Sequence, residues 1–253
     1  TWNGIEWDSV GSGANNIIRD MVVYKNKLYL AGYFDTFNGM NNANGIIKFN
    51  GTAWSKVSAL ANNGNKTFSM CVHDGKLIIA GSFDFSGTTA HLVSFDGTTW
   101  SPFPSPAPVN FYRMISLNNN LYISAEDAVY KYDGNTWTIV YTPPSNFPAT
   151  YYLSSFDDAV IIGDLDEQST SSLNTQDELT FLLQYGLINY TVPLGSDSAY
   201  ITGYFDTPYP STRIMNHIGL LKRHAPSTQF TFNNDSICDH EYVSYSATIS
   251  DIY

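Results

Sequence analysis

The residues able to do chemistry in this sequence are few and scattered. Five histidines, His73, His91, His217, His224 and His240, fall in no His-x-His or His-Glu-x-x-His spacing, so no metal centre is expected from them and isolated strand or loop positions are. Carboxylates gather at Asp164-Leu165-Asp166-Glu167, with Asp177 and Glu178 nearby. Oxygen ligands at that density suit Ca2+, although a solvated loop accounts for them more simply; no other cofactor is suggested. A glycosidase needs two carboxylates flanking its substrate. Asp35, Asp84, Asp164 and Asp206 instead recur with the scaffold described below, which points to turn capping rather than catalysis. No catalytic residues are identified, and a non-enzyme is expected. Loop aromatics, Tyr33, Phe37, Phe85, Tyr204 and Tyr209, offer faces that can stack on sugars, while core packing is expected of most aromatics.

Composition narrows the partners. The net charge is −11 with 12 Lys and Arg in 253 residues, and the longest basic cluster is Lys222-Arg223-His224. Binding nucleic acid through its phosphates needs a clustered cationic surface, and anionic membranes ask for the same, so neither is an expected partner. No apolar run approaches the roughly 18 residues of a membrane span, and membrane insertion is not expected. Charged residues make up 14% of the chain, against about 25% in typical domains. Asn, Ser, Thr, Gly and Tyr take their place, the profile of a turn-rich β protein. Cys71 lies in the apolar stretch Phe68–Val72 and is expected to be a small buried hydrophobe. For Cys238, a disulfide to a partner beyond this chain is a better expectation than one to Cys71.

Internal repeats supply the elements that position these residues. An alternating strand ending in a small residue occurs five times: Leu28–Gly32, Leu77–Gly81, Leu121–Ala125, Ala159–Gly163 and Ala199–Gly203. Three copies continue x-Phe-Asp, at Phe34-Asp35, Phe83-Asp84 and Phe205-Asp206. A second strand follows each copy, at Ile46–Phe49, Leu92–Phe95, Val129–Tyr132, Leu182–Tyr185 and Leu220–Arg223. After three of these come Asn50-Gly51, Asp96-Gly97 and Asp133-Gly134, each leading to a tryptophan, Trp54, Trp100 and Trp137. Asx-Gly pairs favour tight turns with positive φ. A further strand precedes each Leu-Tyr-Leu-type strand, over 17–23, 67–73, 111–117, 150–156 and 188–194, with short turns between.

Four strands per repeat of about 40–50 residues predict an all-β fold, a five-bladed β-propeller of four-stranded antiparallel blades over residues 1–225. Gly32, Gly81, Gly163 and Gly203 close the core strands, and Trp7, Trp54, Trp100 and Trp137 are expected to pack between blades. Thr1–Trp7 matches Lys48–Trp54 at Asn, Gly and Trp, so the N-terminal strand Ile5–Val10 is expected to close the ring beside Ile218–Lys222. The fourth repeat is short and lacks a Trp, which suggests three strands. Thr175–Gly186 reads better as a strand than as a helix with Thr175-Gln-Asp-Glu178 as its capping box.

The motifs Leu-Tyr-Leu-Ala-Gly-Tyr-Phe-Asp and Asn-Gly-Thr-Ala-Trp resemble kelch-like and galactose-oxidase-central-domain-like repeats of secreted Bacteroidota surface proteins. The ligand set that copper oxidase chemistry would need is not located here, so the likeness stops at the scaffold. Residues 226–253, with Phe230-Thr-Phe232, Ser236-Ile-Cys238 and Tyr242–Tyr245, resemble the first strands of a PKD domain, an immunoglobulin-like sandwich. That resemblance implies a parent continuing into further domains, and export to the cell surface or beyond, by the type IX route. Asp8-Ser-Val10, Asp197-Ser-Ala199 and Asp235-Ser-Ile237 fit the O-glycosylation triplet of that group. The expected function is an extracellular or cell-surface recognition or adhesion module for surface glycan or protein. The alternative is an accessory or catalytic propeller of a secreted polysaccharide-degrading enzyme.

Overall fold

The computed structural model describes residues 4–6, 8–57, 61–85, 88–106, 111–142, 151–164, 169–174, 176–183, 186–194, 198–205, 216–224, 229–234 and 243–246. The named elements among them are all β-strands, and no helix is long and apolar enough to cross a membrane among the described residues. The first sheet holds β1 (Ile18–Tyr24), β2 (Lys27–Gly32), β3 (Ile46–Phe49) and β4 (Trp54–Lys56). The second holds β5 (Ala61–His73), β6 (Lys76–Phe85), β7 (Thr88–Phe95) and β8 (Trp100–Pro102). The third holds β9 (Phe111–Leu117), β10 (Asn120–Ala125), β11 (Val129–Tyr132) and β12 (Trp137–Tyr141). The fourth holds β13 (Tyr151–Phe156), β14 (Ala159–Asp164), β15 (Ser169–Leu173) and β16 (Leu179–Leu183). The fifth holds β17 (Gly186–Pro193), β18 (Ser198–Phe205), β19 (Asn216–His224), β20 (Gln229–Asn234) and β21 (Val243–Ser246). In every sheet the strands lie side by side in chain order. The chain divides into two compact units, residues 1–123 with 132–138, and 124–131 with 139–253.

Turn chemistry fixes these meanders. Lys25 and Asn26 both take positive φ between β1 and β2, as do Asp74 and Gly75 between β5 and β6, and Asn118 and Asn119 between β9 and β10. Two consecutive positive-φ residues match the twist of the flanking strands. The three Asx-Gly turns share one design. Gly51, Gly97 and Gly134 have φ near +100°. The Oδ1 atoms of Asn50, Asp96 and Asp133 each accept the backbone N–H groups two and three residues on, at 2.8–3.0 Å. Asp96 is thereby held down to a pKa of about 2, first by the Thr99 N–H, then by the Thr98 hydroxyl and N–H; Asp133 is lowered for the same reason, led by the Thr136 N–H.

The first unit has its core between the first two sheets. Tyr24, Tyr29, Ala31, Ile46 and Val57 meet Met70, Leu77, Ile79, Phe83, Val93 and Phe95, with Trp100 against the edge of this cluster. Each tryptophan packs on the aromatic at the end of the preceding strand: Trp54 on Phe49 at 4.9 Å, Trp100 on Phe95 at 4.4 Å, Trp137 on Tyr132 at 5.0 Å between ring centroids. The Trp137 indole N–H also donates to the Pro104 carbonyl at 3.2 Å, a link to the segment following the second sheet. Trp54 turns to its own sheet, where Phe34, Phe37 and Ile47 form a separate cluster. Trp7 lies outside the described residues. Gly81, Gly163 and Gly203 end their core strand runs buried, as does Gly32.

A polar thread joins the first strands of the first three sheets. Asp20, Ser69 and Arg113 each stand four residues before the end of their strand. Asp20 Oδ2 accepts the Ser69 hydroxyl at 2.7 Å and the Met70 N–H at 2.8 Å. Asp20 Oδ1 accepts the Met21 N–H at 2.9 Å and lies 3.4 Å from Arg113 Nη1. Ser69 Oγ accepts in turn from the Met114 N–H at 3.1 Å. One carboxylate and one hydroxyl thus couple β1, β5 and β9, in a location where an unpaired polar group is costly.

Two expectations need correction. The fourth sheet has four strands, not three. Its third strand is Ser169–Leu173, which the polar run hides; Thr170 and Ser171 are buried, and Thr170 Oγ1 is satisfied by the Ile188 N–H at 3.0 Å. The run through Glu178 is a hairpin turn in which Asn174 Oδ1 accepts the Gln176 and Glu178 N–H groups, so the strand reading over 175–186 holds, with its strand at Leu179–Leu183. At the chain start, Asp8–Val10 carry no strand pairing. The free edge of β19, expected to receive that segment, is taken by β20, with Leu221 opposite Phe232 and Lys222 opposite Thr231. A strand four residues downstream closes a much shorter loop than one at the far end of the chain, and loop closure costs less for shorter loops. β20 and β21, within the segment expected to begin a sandwich, here continue the fifth sheet.

Two measurements check the fold. A Cβ at Gly32 would lie 2.1 Å from the Ile17 carbonyl oxygen and 2.9 Å from Ile18 Cα; both are backbone atoms, so Gly32→Ala is expected to cost about 1–3 kcal/mol in a urea melt, as overpacking does. Asp20→Ala removes the acceptor of the Ser69 hydroxyl and the Met70 N–H and one partner of Arg113, and is expected to cost about 1–3 kcal/mol. Adding Arg113→Met should then cost less than it does in the wild type, and additive losses in that cycle would disprove the coupling.

Candidate functional site

The site is built from backbone irregularities. In β1 the register passes from Ile18 opposite Gly32 to Asp20 opposite Ala31, leaving Arg19 as an extra residue. In β5 it passes from Thr67 opposite Gly81 to Ser69 opposite Ala80, leaving Phe68. In β17 it passes from Ile188 opposite Gly203 to Tyr190 opposite Thr202, leaving Asn189. Such bulges re-aim side chains and recur beside functional sites. Each lies next to a residue paired with a glycine of the next strand, Gly32, Gly81 and Gly203, and at Gly32 the crossing backbone leaves no room for a Cβ.

In the first unit these irregularities converge. Tyr33 follows Gly32, and its N–H donates to the Ile17 carbonyl at 2.9 Å. The Arg19 guanidinium lies over the Tyr33 ring, 5.4 Å from its centroid. Phe68 meets Tyr33 at 5.8 Å with the rings at 86°, an edge-to-face arrangement. Arg19 is exposed, while Tyr33 and Phe68 are half-buried. A cation and two aromatic rings, held on a hydrogen-bonded backbone, make a preorganised surface able to stack on a ligand and donate hydrogen bonds to it. The neighbouring carboxylate of Asp20 is occupied by Ser69, Met70, Met21 and Arg113.

Of the aromatic candidates read from the sequence, Tyr33 belongs to this cluster. Phe37 is buried, with its ring against Phe34 at 5.7 Å and Trp54 at 4.6 Å, so it serves packing. The backbones of Phe85 and Tyr204 end β6 and lie in β18, opposite Thr88 and Leu187; their side chains lie outside the described residues, as does Tyr209. Of the Ca2+ candidates, the Asp164 backbone ends β14, while its side chain, Asp166 and Glu167 fall outside the description. Among the described residues no three His, Cys, Asp or Glu side chains gather as a metal site. The turn at Asp35 is capped from elsewhere: Asn15 Oδ1 accepts the Asp35 and Thr36 N–H groups at 3.0 Å. Sequence reasoning missed Arg19 and Phe68. The available signal was local: Arg19-Asp20 interrupts an apolar strand with two consecutive polar residues.

His73, Cys71 and His91 are engaged in packing. His73 is buried, its Nδ1 2.9 Å from Ser116 Oγ; burial lowers its pKa, opposed by Asp74. Cys71 is a free buried thiol, its pKa raised by burial and then by the charge of Asp20, so it is no nucleophile at neutral pH. His91 packs edge-on against Phe111. His217 and His224 lie in β19, and His240 and Cys238 are outside the described residues.

Comparison with known proteins agrees with this architecture. Virginiamycin B lyase from Staphylococcus aureus superposes with a TM-score of 0.58 at 10% identity, over 92% of this chain and 85% of the lyase. A streptogramin B lyase gives 0.57 at 11% identity, over 91% and 68%. The extracellular domain of BT4673 from B. thetaiotaomicron gives 0.46 at 10% identity, over 98% and 48%. For the two lyases, at these identities, the likeness is one of fold. No curated protein matches the chain. The family model of the DUF6242 beta propeller domain matches residues 1–175, the stretch that contains the first three four-stranded sheets and the first three strands of the fourth, and the chain belongs to that family.

Proposed function

We propose that this chain is a non-enzymatic recognition module acting outside the cell, and that it binds surface glycan through the bulge-aimed ends of its blade strands. The observation that carries this reading is Tyr33, a half-buried aromatic ring fixed by Gly32, Arg19 and Phe68 instead of by a core. The resemblance of the repeats to kelch-like ones, and of residues 226–253 to the first strands of a PKD domain, supports an extracellular or cell-surface setting among further domains of a longer parent. The fifth sheet is read as a fifth blade, with β20 in the outer position. Aromatic rings of this kind bind sugars by covering the apolar face of the pyranose, which removes apolar surface of both from water.

A glycan array tests this with the full chain, Tyr33→Phe and Tyr33→Ala. The wild type and Tyr33→Phe should retain the same ligands. Tyr33→Ala should lose about five- to tenfold in affinity, the equivalent of about 1 kcal/mol, while its melting temperature stays near that of the wild type. Unchanged binding by Tyr33→Ala would move recognition away from this ring. Turnover of a polysaccharide by the purified chain would overturn the non-enzymatic reading and favour a degradative one.

A further inference from the structure

We propose that the Arg19–Tyr33–Phe68 cluster selects a carboxylate-bearing sugar, a uronic-acid residue, over its neutral counterpart. This rests on the recognition reading above and adds the ligand's charge to it. Four observations carry it. Arg19 is the residue left over by the β1 bulge, so its position is set by the ladder on either side and not by a loop. It is exposed, and its described contact is with an aromatic ring rather than with an acid. The adjacent Asp20 is committed to Ser69, Met70, Met21 and Arg113, and so does not neutralise it. Phe68, the corresponding bulge residue of the next blade, adds a second ring beside Tyr33.

The chemistry follows from the shape of the side chain. A guanidinium lying over a ring keeps its N–H donors in its own plane, and two of them match the two oxygens of a carboxylate. A pyranose bearing C6 as a carboxylate presents an apolar face and, at its edge, a planar anion. Tyr33 and Phe68 suit the first, Arg19 the second. A neutral hexose offers the same face with a hydroxyl at the edge, which accepts one hydrogen bond without charge assistance. Hydrogen bonds to charged groups are stronger than neutral ones, which places the discrimination at tenfold or more. The protein as a whole is acidic, at −11. Surface charges beyond about 8 Å are largely screened at physiological salt, so recognition of an anion here depends on the local guanidinium.

Isothermal titration of the full chain with tri-galacturonic acid and with its methyl ester tests the assignment, since the two differ only in the anion. The acid is expected to bind at least tenfold more tightly than the ester in 0.15 M salt (roughly the physiological value), with the preference shrinking as salt is raised. Arg19→Gln should abolish the difference between acid and ester, and Arg19→Lys should keep part of it. Thermal melts should show all variants folded, Arg19 being exposed. Equal binding of acid and ester by the wild type, with Tyr33→Ala weakening both, would overturn the charge assignment while leaving glycan recognition in place. An acid preference that survives Arg19→Gln would also overturn it. Arg19-dependent binding of an acidic peptide with no binding of either sugar would overturn the sugar assignment and the glycan reading with it.

Discussion

The Ile17 carbonyl oxygen stands 2.1 Å from the point where a side chain on Gly32 would begin. That close approach is the constraint on which the first blade depends. It lets the backbone entering β1 cross the end of β2, and the crossing is sealed by the Tyr33 N–H donating to Ile17 and the Gly32 N–H donating to Gly45. With the crossing in place, the ladder holds one residue too many, and Arg19 becomes the bulge. Downstream of it Asp20 comes into register with Ala31, where its carboxylate reaches Ser69 and Met70 of the next sheet. A missing Cβ therefore sets the bulge, the bulge sets Asp20, and Asp20 ties consecutive sheets together.

Much of the scaffold is legible from sequence because its determinants are local. Asx-Gly followed by Thr or Asn gives a turn whose acceptor and donors lie within four residues, and β3 and β11 begin and end where the alternation of apolar residues places them. The failures occur where distant partners decide. Ser169–Leu173 is polar by type, yet Thr170 and Ser171 are buried, and the Ile188 N–H, eighteen residues on, supplies the partner of the Thr170 hydroxyl. The match of Thr1–Trp7 to Lys48–Trp54 in sequence does not give the first segment a strand's pairing, because β20 is closer in the chain to the edge of β19. The three described tryptophans illustrate both cases: packing on an aromatic five residues earlier is readable, but the bond from Trp137 to Pro104 is not.

The candidate site was legible only in part, for the same reason. Tyr33 and Phe37 both sit near the x-Phe-Asp turn and look alike as loop aromatics. Phe37 returns to pair with Met40 and Ala14 and is covered, while Tyr33 is held at the strand end beside the bulge. No property of the side chains separates them; the path of the backbone does. Arg19 and Phe68 are less visible still, since a bulge is a register shift between two strands; the polar pair Arg19-Asp20 in an apolar strand is a local sign of it, while Phe68 read alone is an ordinary strand residue.

Repeat architecture gives this difference a functional meaning. At positions that hold the scaffold, the residue type varies within tight physical limits. Asn50, Asp96 and Asp133 all present one oxygen to two N–H groups, and the amide does so without the lowered pKa that marks the acids. At the bulge the backbone irregularity recurs in β1, β5 and β17, but the residue placed there is Arg19, Phe68 and Asn189 in turn: a cation, a hydrocarbon ring and a neutral amide. The ladder on either side tolerates any of them, because a bulged residue is excused from pairing. A scaffold that repeats the same opening and fills it with unlike chemistry can change what it binds without changing how it folds, and in the first unit those fillings are brought against one shared ring, Tyr33.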